Sequence, residues 1–374
     1  MASTSDDRAV HPEHLHCLAD AERAAAAVLP AAVRDFLAGG SGAEVTLDAN
    51  RTALDRVFVV PRVLRDVSAC TTGTTLLGRP ARLPLALAPV AYQRLVHAEG
   101  ELAAARAARE AGVPFTASTL SSVPVERLTA LGGAVWFQLY WLREAGRSLD
   151  LVRRAEDAGA EAIMLTVDVP WMARRLRDVR NRFALPGRVR AAHLAQGPSA
   201  AHRTPSGPGH ASALAAHTAA VFSPALTWSS VEALRERTRL PLVLKGILAA
   251  EDAVRAAACG VDAVVVSNHG GRQLDGAVPS VDALPEVVAA VAGRCEVLLD
   301  SGIRSGTDVL RALALGASGV LVGRPALWGL AVGGEGGVRR VLDLLADEFR
   351  DALGLAGCVN AAAARELRTV RHDG

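Results

Sequence analysis

The feature that most constrains the fold is a rhythm running from about residue 83 to residue 323: a short apolar run, a polar or glycine-containing junction, then an alanine- and charge-rich helical stretch. This is the βα alternation of a parallel sheet. The apolar runs cover 83–89, 114–118, 136–140, 162–168, 242–246, 263–267, 296–300 and 319–323. Runs such as Ala263-Val264-Val265-Val266 are apolar without alternation, as strands covered on both faces require. Eight of them separated by helices predict an α/β chain folded as a (β/α)8 TIM barrel, with its chemistry at the C-terminal ends of the strands. Helices are expected over 99–111, 148–158 and 249–259, each stopped by a glycine: Gly112, Gly159 and Gly260.

At 374 residues the chain reads as one barrel domain, with residues 1–82 as an N-terminal helical extension whose helices over 18–37 are interrupted at Pro30. An amphipathic helix over 337–354 is expected to pack at the end of the barrel. Residues 186–224 are rich in Ala, Gly, Pro, Ser and His and are long for a βα connection. They read either as a mobile lid over the catalytic end or as a surface insertion. The histidines there, His193, His202, His210 and His217, are irregularly spaced and read as solvated groups rather than metal ligands, and no metal site is expected.

The 41 basic and 39 acidic residues are dispersed, so no basic stripe points to nucleic acid or an anionic membrane, and a small-molecule partner is expected. No apolar run approaches the ~20 residues of a membrane helix, and the first residues lack the apolar core of a signal peptide; the expectation is a cytoplasmic protein. The five cysteines lie far apart without CxxC spacing and read as reduced thiols.

The sixth run leads into Ser267-Asn268-His269-Gly270-Gly271-Arg272, which puts an imidazole and a guanidinium three residues apart on a glycine-loosened loop. Together the two can supply a base for a substrate proton and a fixed cation for a carboxylate. A lone histidine after a strand is more often structural; the adjoining Gly-Gly and Arg favour function. Asp168 ends the fourth run and is the candidate partner of His269, with capping of the next helix as the competing role. Arg175 could add positive charge over the substrate. Lys245 ends the fifth run, where an unpaired lysine is costly, so it should meet an anion or an electron-rich ring; a Schiff-base lysine is the alternative. The seventh and eighth runs end in Asp300-Ser301-Gly302-Ile303-Arg304 and Gly323-Arg324-Pro325, where this fold commonly holds a phosphate. Ser118, Gln138 and Tyr140 bring polar groups to the same mouth, or cap local backbone.

As a set, these motifs resemble the FMN-dependent 2-hydroxy-acid oxidase family, over nearly the whole chain from Arg34-Asp35-Phe36-Leu37-Ala38-Gly39-Gly40 to Gly323-Arg324-Pro325. Ser267-Asn268-His269-Gly270-Gly271-Arg272-Gln273-Leu274-Asp275 is highly specific for it. The resemblance implies His269 as base with Asp168 as partner, and Arg272, Arg175 and Tyr140 around the substrate. It implies FMN held by Pro89, Val90, Ala91, Ser118, Gln138, Thr166, Lys245 and Ser267, with its phosphate at Asp300, Gly302, Arg304, Gly323 and Arg324. It further implies oxidation of an (S)-2-hydroxy acid to the 2-oxo acid, O2 being reduced to H2O2, in a homo-oligomer, a tetramer in the family. Two positions depart from the glycolate-type pattern: Phe36, where many members have a tyrosine, and Leu120, where that branch has a tryptophan. Both point to a larger, apolar substrate, and the segments around Pro89 and Asp168 are most similar to the branch acting on 4-hydroxymandelate. Mandelate or an aliphatic acid such as lactate or glycolate is the alternative substrate, and a flavoprotein without catalysis is the rival from outside enzymes.

Overall fold

The computed structural model describes residues 11–194 and 218–372. Its strands in chain order are β1 (Val57–Val59), β2 (Thr74–Leu76), β3 (Arg79–Ala81), β4 (Leu85–Leu87), β5 (Phe115–Ser118), β6 (Val135–Leu139), β7 (Ala162–Thr166), β8 (Leu242–Ile247), β9 (Ala263–Val266), β10 (Glu296–Leu299), β11 (Gly319–Val322) and β12 (Thr369–Arg371). Strands β4 to β11 pair in sequence order, and β11 returns to β4, closing an eight-stranded parallel barrel. Each of the eight apolar runs supplies one of these strands. The runs at Asp168, Ser267, Asp300 and Gly323 extend one or two residues past the last paired position, so these side chains sit in the loops at the C-terminal rim.

The barrel interior is filled by alternate strand residues, among them Trp136, Met164, Val243, Val265, Leu298 and Leu321, which pack in one cluster with Leu76 and Ala81. Those two belong to the β2–β3 hairpin, whose two-residue turn, Leu77 and Gly78, has positive φ at both positions as a strongly twisted hairpin requires. Glu296, at the start of β10, accepts backbone N–H groups from Leu77 and Gly78. The hairpin therefore plugs the N-terminal end of the barrel, and the C-terminal end is left for the site.

The helices Glu101–Ala111, Ala145–Asp157 and Ala250–Ala258 correspond to the three expected, with Gly112, Gly159 and Gly260 at positive φ just beyond them. Helices Leu18–Val28 and Ala31–Ala38 flank Pro30 as expected. Residues 45–82 depart from a purely helical extension. After the helix Val45–Asp55 the chain forms β1, which pairs with the C-terminal β12, and then the plug hairpin. The helix expected over 337–354 is the second half of Arg324–Leu355, broken at Gly333-Gly334. It packs against the helices Glu101–Ala111, Gly306–Ala314 and Leu18–Val28, which places it in the outer ring between the last and first strands and not across the end of the barrel.

Most of the segment expected as a lid, residues 195–217, lies outside the described residues, with His202, His210 and His217 in it. Its described flanks are anchored: Val189, Ala191, Leu194 and Phe222 are buried, and Leu142 bridges to Phe222. His193 departs from the solvated reading. It is buried, its Nε2 accepts the Val125 N–H at 2.9 Å, and its Nδ1 donates to the Thr119 carbonyl at 3.2 Å.

Candidate active site

A cleft of about 1080 Å³, counting the part open to solvent, occupies the C-terminal mouth. At its centre the loop after β9 carries His269 at φ 60, a left-handed conformation fixed by its N–H donating to Ser267 Oγ at 3.0 Å. The ring Nδ1 lies 3.0 and 3.2 Å from the two Asp168 oxygens. Because a carboxylate only accepts, Nδ1 carries the proton and Nε2 presents a lone pair. Burial pushes the His269 pKa down, Asp168 works in the opposite direction, and the charges of Lys245 and Arg175 lower it further, so the ring rests neutral.

Asp168 is placed by close backbone approach. Gly246, at φ 114 in β8, lies against it so tightly that an added Cβ would fall 2.6 Å from both Asp168 Cβ and Cγ. Gln273 Nε2 donates to the carbonyls of Asp168 (2.8 Å) and Trp171 (3.0 Å), tying the loop after β7 to the loop that bears His269. Gln273 was not among the residues expected to matter; its position beside Arg272 in the specific segment was the available signal.

Four guanidiniums, buried Arg175 and half-buried Arg272, Arg304 and Arg324, line the cleft, and none has a carboxylate within 4.0 Å among the described residues. Arg272 Nη1 spends its hydrogens on the carbonyls of Phe36 (2.8 Å) and Gly39 (2.7 Å), and its guanidinium lies 5.3 Å over the Phe36 ring. That leaves its Nε and Nη2 edge for a bidentate anion. Arg175 Nε is buried with no partner. Burial lowers the pKa of all four, with neighbouring guanidiniums adding to the effect on Arg272, Arg304 and Arg324. Arg304 falls to about 10 and Arg324 to about 9. Such a concentration of positive charge is stable only opposite anions.

Arg304 stacks 4.8 Å over Trp328, while Arg324 donates to the carbonyls of Leu37, Gly39 and Gly270 at 3.0 Å each, retaining one N–H on each terminal nitrogen. Both stand beside Gly302 and Gly323, and Gly323 caps the helix that starts at Arg324, so a phosphate there meets charge, backbone and a helix N-terminus together. Asp300 departs from the expected phosphate role. Its carboxylate lies 2.7 Å from Lys245 Nζ and accepts from Ser301 Oγ at 2.8 Å; burial opposes its charge, yet Lys245 and the hydrogen bonds hold its pKa below the usual range. The anion that buried Lys245 requires is thus Asp300, and Ser267 Oγ accepts a second Lys245 bond at 2.9 Å.

Along the neighbouring strands Ser118 donates to Gln138 Oε1 (3.1 Å), and Gln138 Nε2 donates to Thr166 (2.9 Å). Ser118 and Thr166 line the cleft, whereas Gln138 lies behind them and sets their orientation. Pro89, Val90 and Ala91 form an apolar wall. At the outer end Phe36, Leu120, Tyr140 and Met172 surround the space above His269; Phe36 stacks on Phe183 and Tyr140 on Phe222, each at 4.4 Å. Met172, Ile303 and Leu327 line the cleft without having been singled out in the sequence, since apolar side chains there carry no chemical signature.

Fold and site together define a barrel oxidoreductase that holds a phosphate-bearing cofactor beside β10 and β11 and an organic acid above a histidine–aspartate pair. The chain belongs to the FMN-dependent dehydrogenase family, which it matches over residues 25–370. It is 66% identical to a 4-hydroxymandelate oxidase of Amycolatopsis orientalis over 94% of this chain and 97% of that one. It is 50% identical to an L-lactate oxidase of a Nostoc species over 87% and 89%, and 42% identical to human 2-hydroxyacid oxidase 1 over 92% and 94%. The crystal structure of a mandelate oxidase with (S)-4-hydroxymandelic acid superposes with a TM-score of 0.93 at 63% identity, covering 96% of this chain and 99% of the other. The cofactor is therefore FMN, and the donor set suits it: paired arginines and glycines at the phosphate end, an apolar wall, and a polar row with Lys245 on the strands.

Proposed function

We propose that this enzyme oxidises an (S)-2-hydroxy acid to the 2-oxo acid while O2 is reduced to H2O2, and that its substrate is 4-hydroxymandelate, converted to 4-hydroxybenzoylformate. One observation carries the reading: a neutral His269, backed by Asp168, faces a cleft whose Arg272 and Arg175 have no carboxylate partner. Arg272 and Arg175 hold the substrate carboxylate, Tyr140 adds a hydroxyl, and the reacting carbon is fixed near His269. His269 Nε2 takes the proton, and Asp168 stabilises the resulting imidazolium. FMN, when bound, supplies the two-electron acceptor. Pro89, Val90 and Ala91 back its ring, with Ser118, Thr166 and Lys245 at the polar edge. Ser267 and Asp300 hold Lys245, and Gly302, Arg304, Gly323 and Arg324 take the phosphate.

Phe36 and Leu120 support an aromatic substrate, since both leave apolar room where a tyrosine hydroxyl or an indole would otherwise intrude. The identity to the Amycolatopsis enzyme supports the same choice. Assay of the purified protein with (S)-4-hydroxymandelate tests the reading: one 4-hydroxybenzoylformate and one H2O2 should form per O2 consumed. We further propose a single-domain protein acting as a homo-oligomer in the cytoplasm. The exposed Val63, Leu64, Leu355 and Val359 are consistent with contacts between copies, and no helix among the described residues is long and apolar enough to cross a membrane.

A further inference from the structure

The helix Val45–Asp55 lies outside the barrel, yet two of its consecutive residues reach separate active-site loops. Asn50 exchanges two hydrogen bonds with Asn268, the residue before His269, at 2.9 and 2.7 Å. Arg51 reaches the loop after β10: Nη1 donates to the Gly302 carbonyl at 2.7 Å, and Nη1 and Nη2 hold the two Asp308 oxygens at 2.6 and 2.9 Å. Asp308 is fully buried and accepts the Arg304 N–H at 2.9 Å with the same Oδ2 that meets Arg51. Arg51 and Asp308, neither of which lines the cleft, thus bracket Gly302-Ile303-Arg304.

We infer that Arg51 is a positioning residue for the cofactor phosphate, acting through Asp308 and the Gly302 carbonyl. The inference rests on the reading that Gly302 and Arg304 hold that phosphate. In a planar trans peptide the C=O and N–H point in opposite directions. Fixing the Gly302 carbonyl on Arg51 therefore turns the Ile303 N–H the other way, toward the face of the loop that lines the cleft. Asp308 takes the next N–H, that of Arg304, which leaves the Arg304 guanidinium over Trp328 as that residue's contribution to the anion. Bidentate geometry and burial of Asp308 make this bracket stiff, and a preorganised phosphate nest gains affinity without contacting the ligand through Arg51 itself.

The test compares FMN with riboflavin, which lacks the phosphate, binding to the full-length protein stripped of flavin, followed by flavin fluorescence. Arg51→Met should raise the FMN dissociation constant about tenfold or more and leave that of riboflavin within about twofold. Arg51→Lys should recover part of the loss, and Asp308→Asn should reproduce it should Arg51→Met fold poorly. Equal weakening of both flavins, or none, would overturn the inference. Arg304→Ala separates it from the underlying reading: if that change leaves the FMN-to-riboflavin ratio untouched, the phosphate does not sit at this loop at all. If Arg304→Ala alters the ratio and Arg51→Met and Asp308→Asn do not, only the positioning role fails.

Discussion

His269 Nδ1 sits 3.0 Å from Asp168 Oδ1 across two loops that are 101 residues apart in the chain, both side chains half-buried. The carboxylate fixes the tautomer and stabilises the charged ring once a proton has arrived. Asp168→Asn keeps the shape but reverses part of the hydrogen bonding and removes the charge. We expect flavin content to be retained and the rate of flavin reduction by substrate to fall about 10²–10⁴-fold, measured by anaerobic stopped flow. A loss below tenfold would remove Asp168 from the proton-transfer step.

The pH dependence follows from the same pair. Burial, together with Lys245 and Arg175, holds the free-enzyme pKa of His269 below its ordinary value near 6.5 despite Asp168. The active base is the neutral ring, so kcat/KM for the reductive step should rise with pH through an inflection below 6.5 and be flat above neutrality. An acid limb with its inflection above 7 would mean that Asp168 dominates, or that another group is the base.

The barrel was legible because eight non-alternating apolar runs have few other uses, and His269 and Arg272 because they follow a strand directly. Contacts made across the fold were much less legible. Nothing local in Asp300 says that its charge answers Lys245, 55 positions earlier, and the resemblance had assigned it to phosphate. His193 read as solvated from the composition of its segment, whereas burial against Phe137 and two backbone bonds make it structural. Gln273 acts through backbone carbonyls of a distant loop, Asn50 through the Asn268 side chain, and Arg51 through the Gly302 carbonyl and the Asp308 side chain, and such partners leave no mark on sequence spacing.

Gly246 is a direct probe of packing at the site. Its φ of 114 is unfavourable for any side chain, and an added methyl would sit 2.6 Å from Asp168. Gly246→Ala should cost about 1–3 kcal/mol from backbone strain alone, with more from displacing Asp168. Thermal unfolding should shift down and kcat fall together. Unchanged values of both would show that the loop after β7 relaxes freely.

His193 should shape acid stability. Burial, chiefly, depresses its pKa to about 4 from the ordinary 6.5. The unfolded chain then binds the proton more readily than the folded one between these values, so the stabilising contribution is present above about pH 6.5 and is lost as pH falls toward 4. The loss is on the order of 3 kcal/mol. Denaturant melts across this range should show His193→Phe with a weaker pH dependence; an identical slope would mean that other groups dominate.

The central claim is that this cleft takes an aromatic 2-hydroxy acid over His269 and passes its electrons to FMN. Anaerobic mixing of the holoenzyme with (S)-4-hydroxymandelate, mandelate, lactate and glycolate tests it most directly, with Leu120→Trp run in parallel. Flavin absorbance should bleach fastest with 4-hydroxymandelate and most slowly with glycolate, and Leu120→Trp should narrow or invert that order by filling the apolar end of the cleft. If the flavin can be photoreduced but stays oxidised with every one of these acids, the oxidase account is wrong; if glycolate bleaches it as fast as 4-hydroxymandelate, the aromatic assignment is.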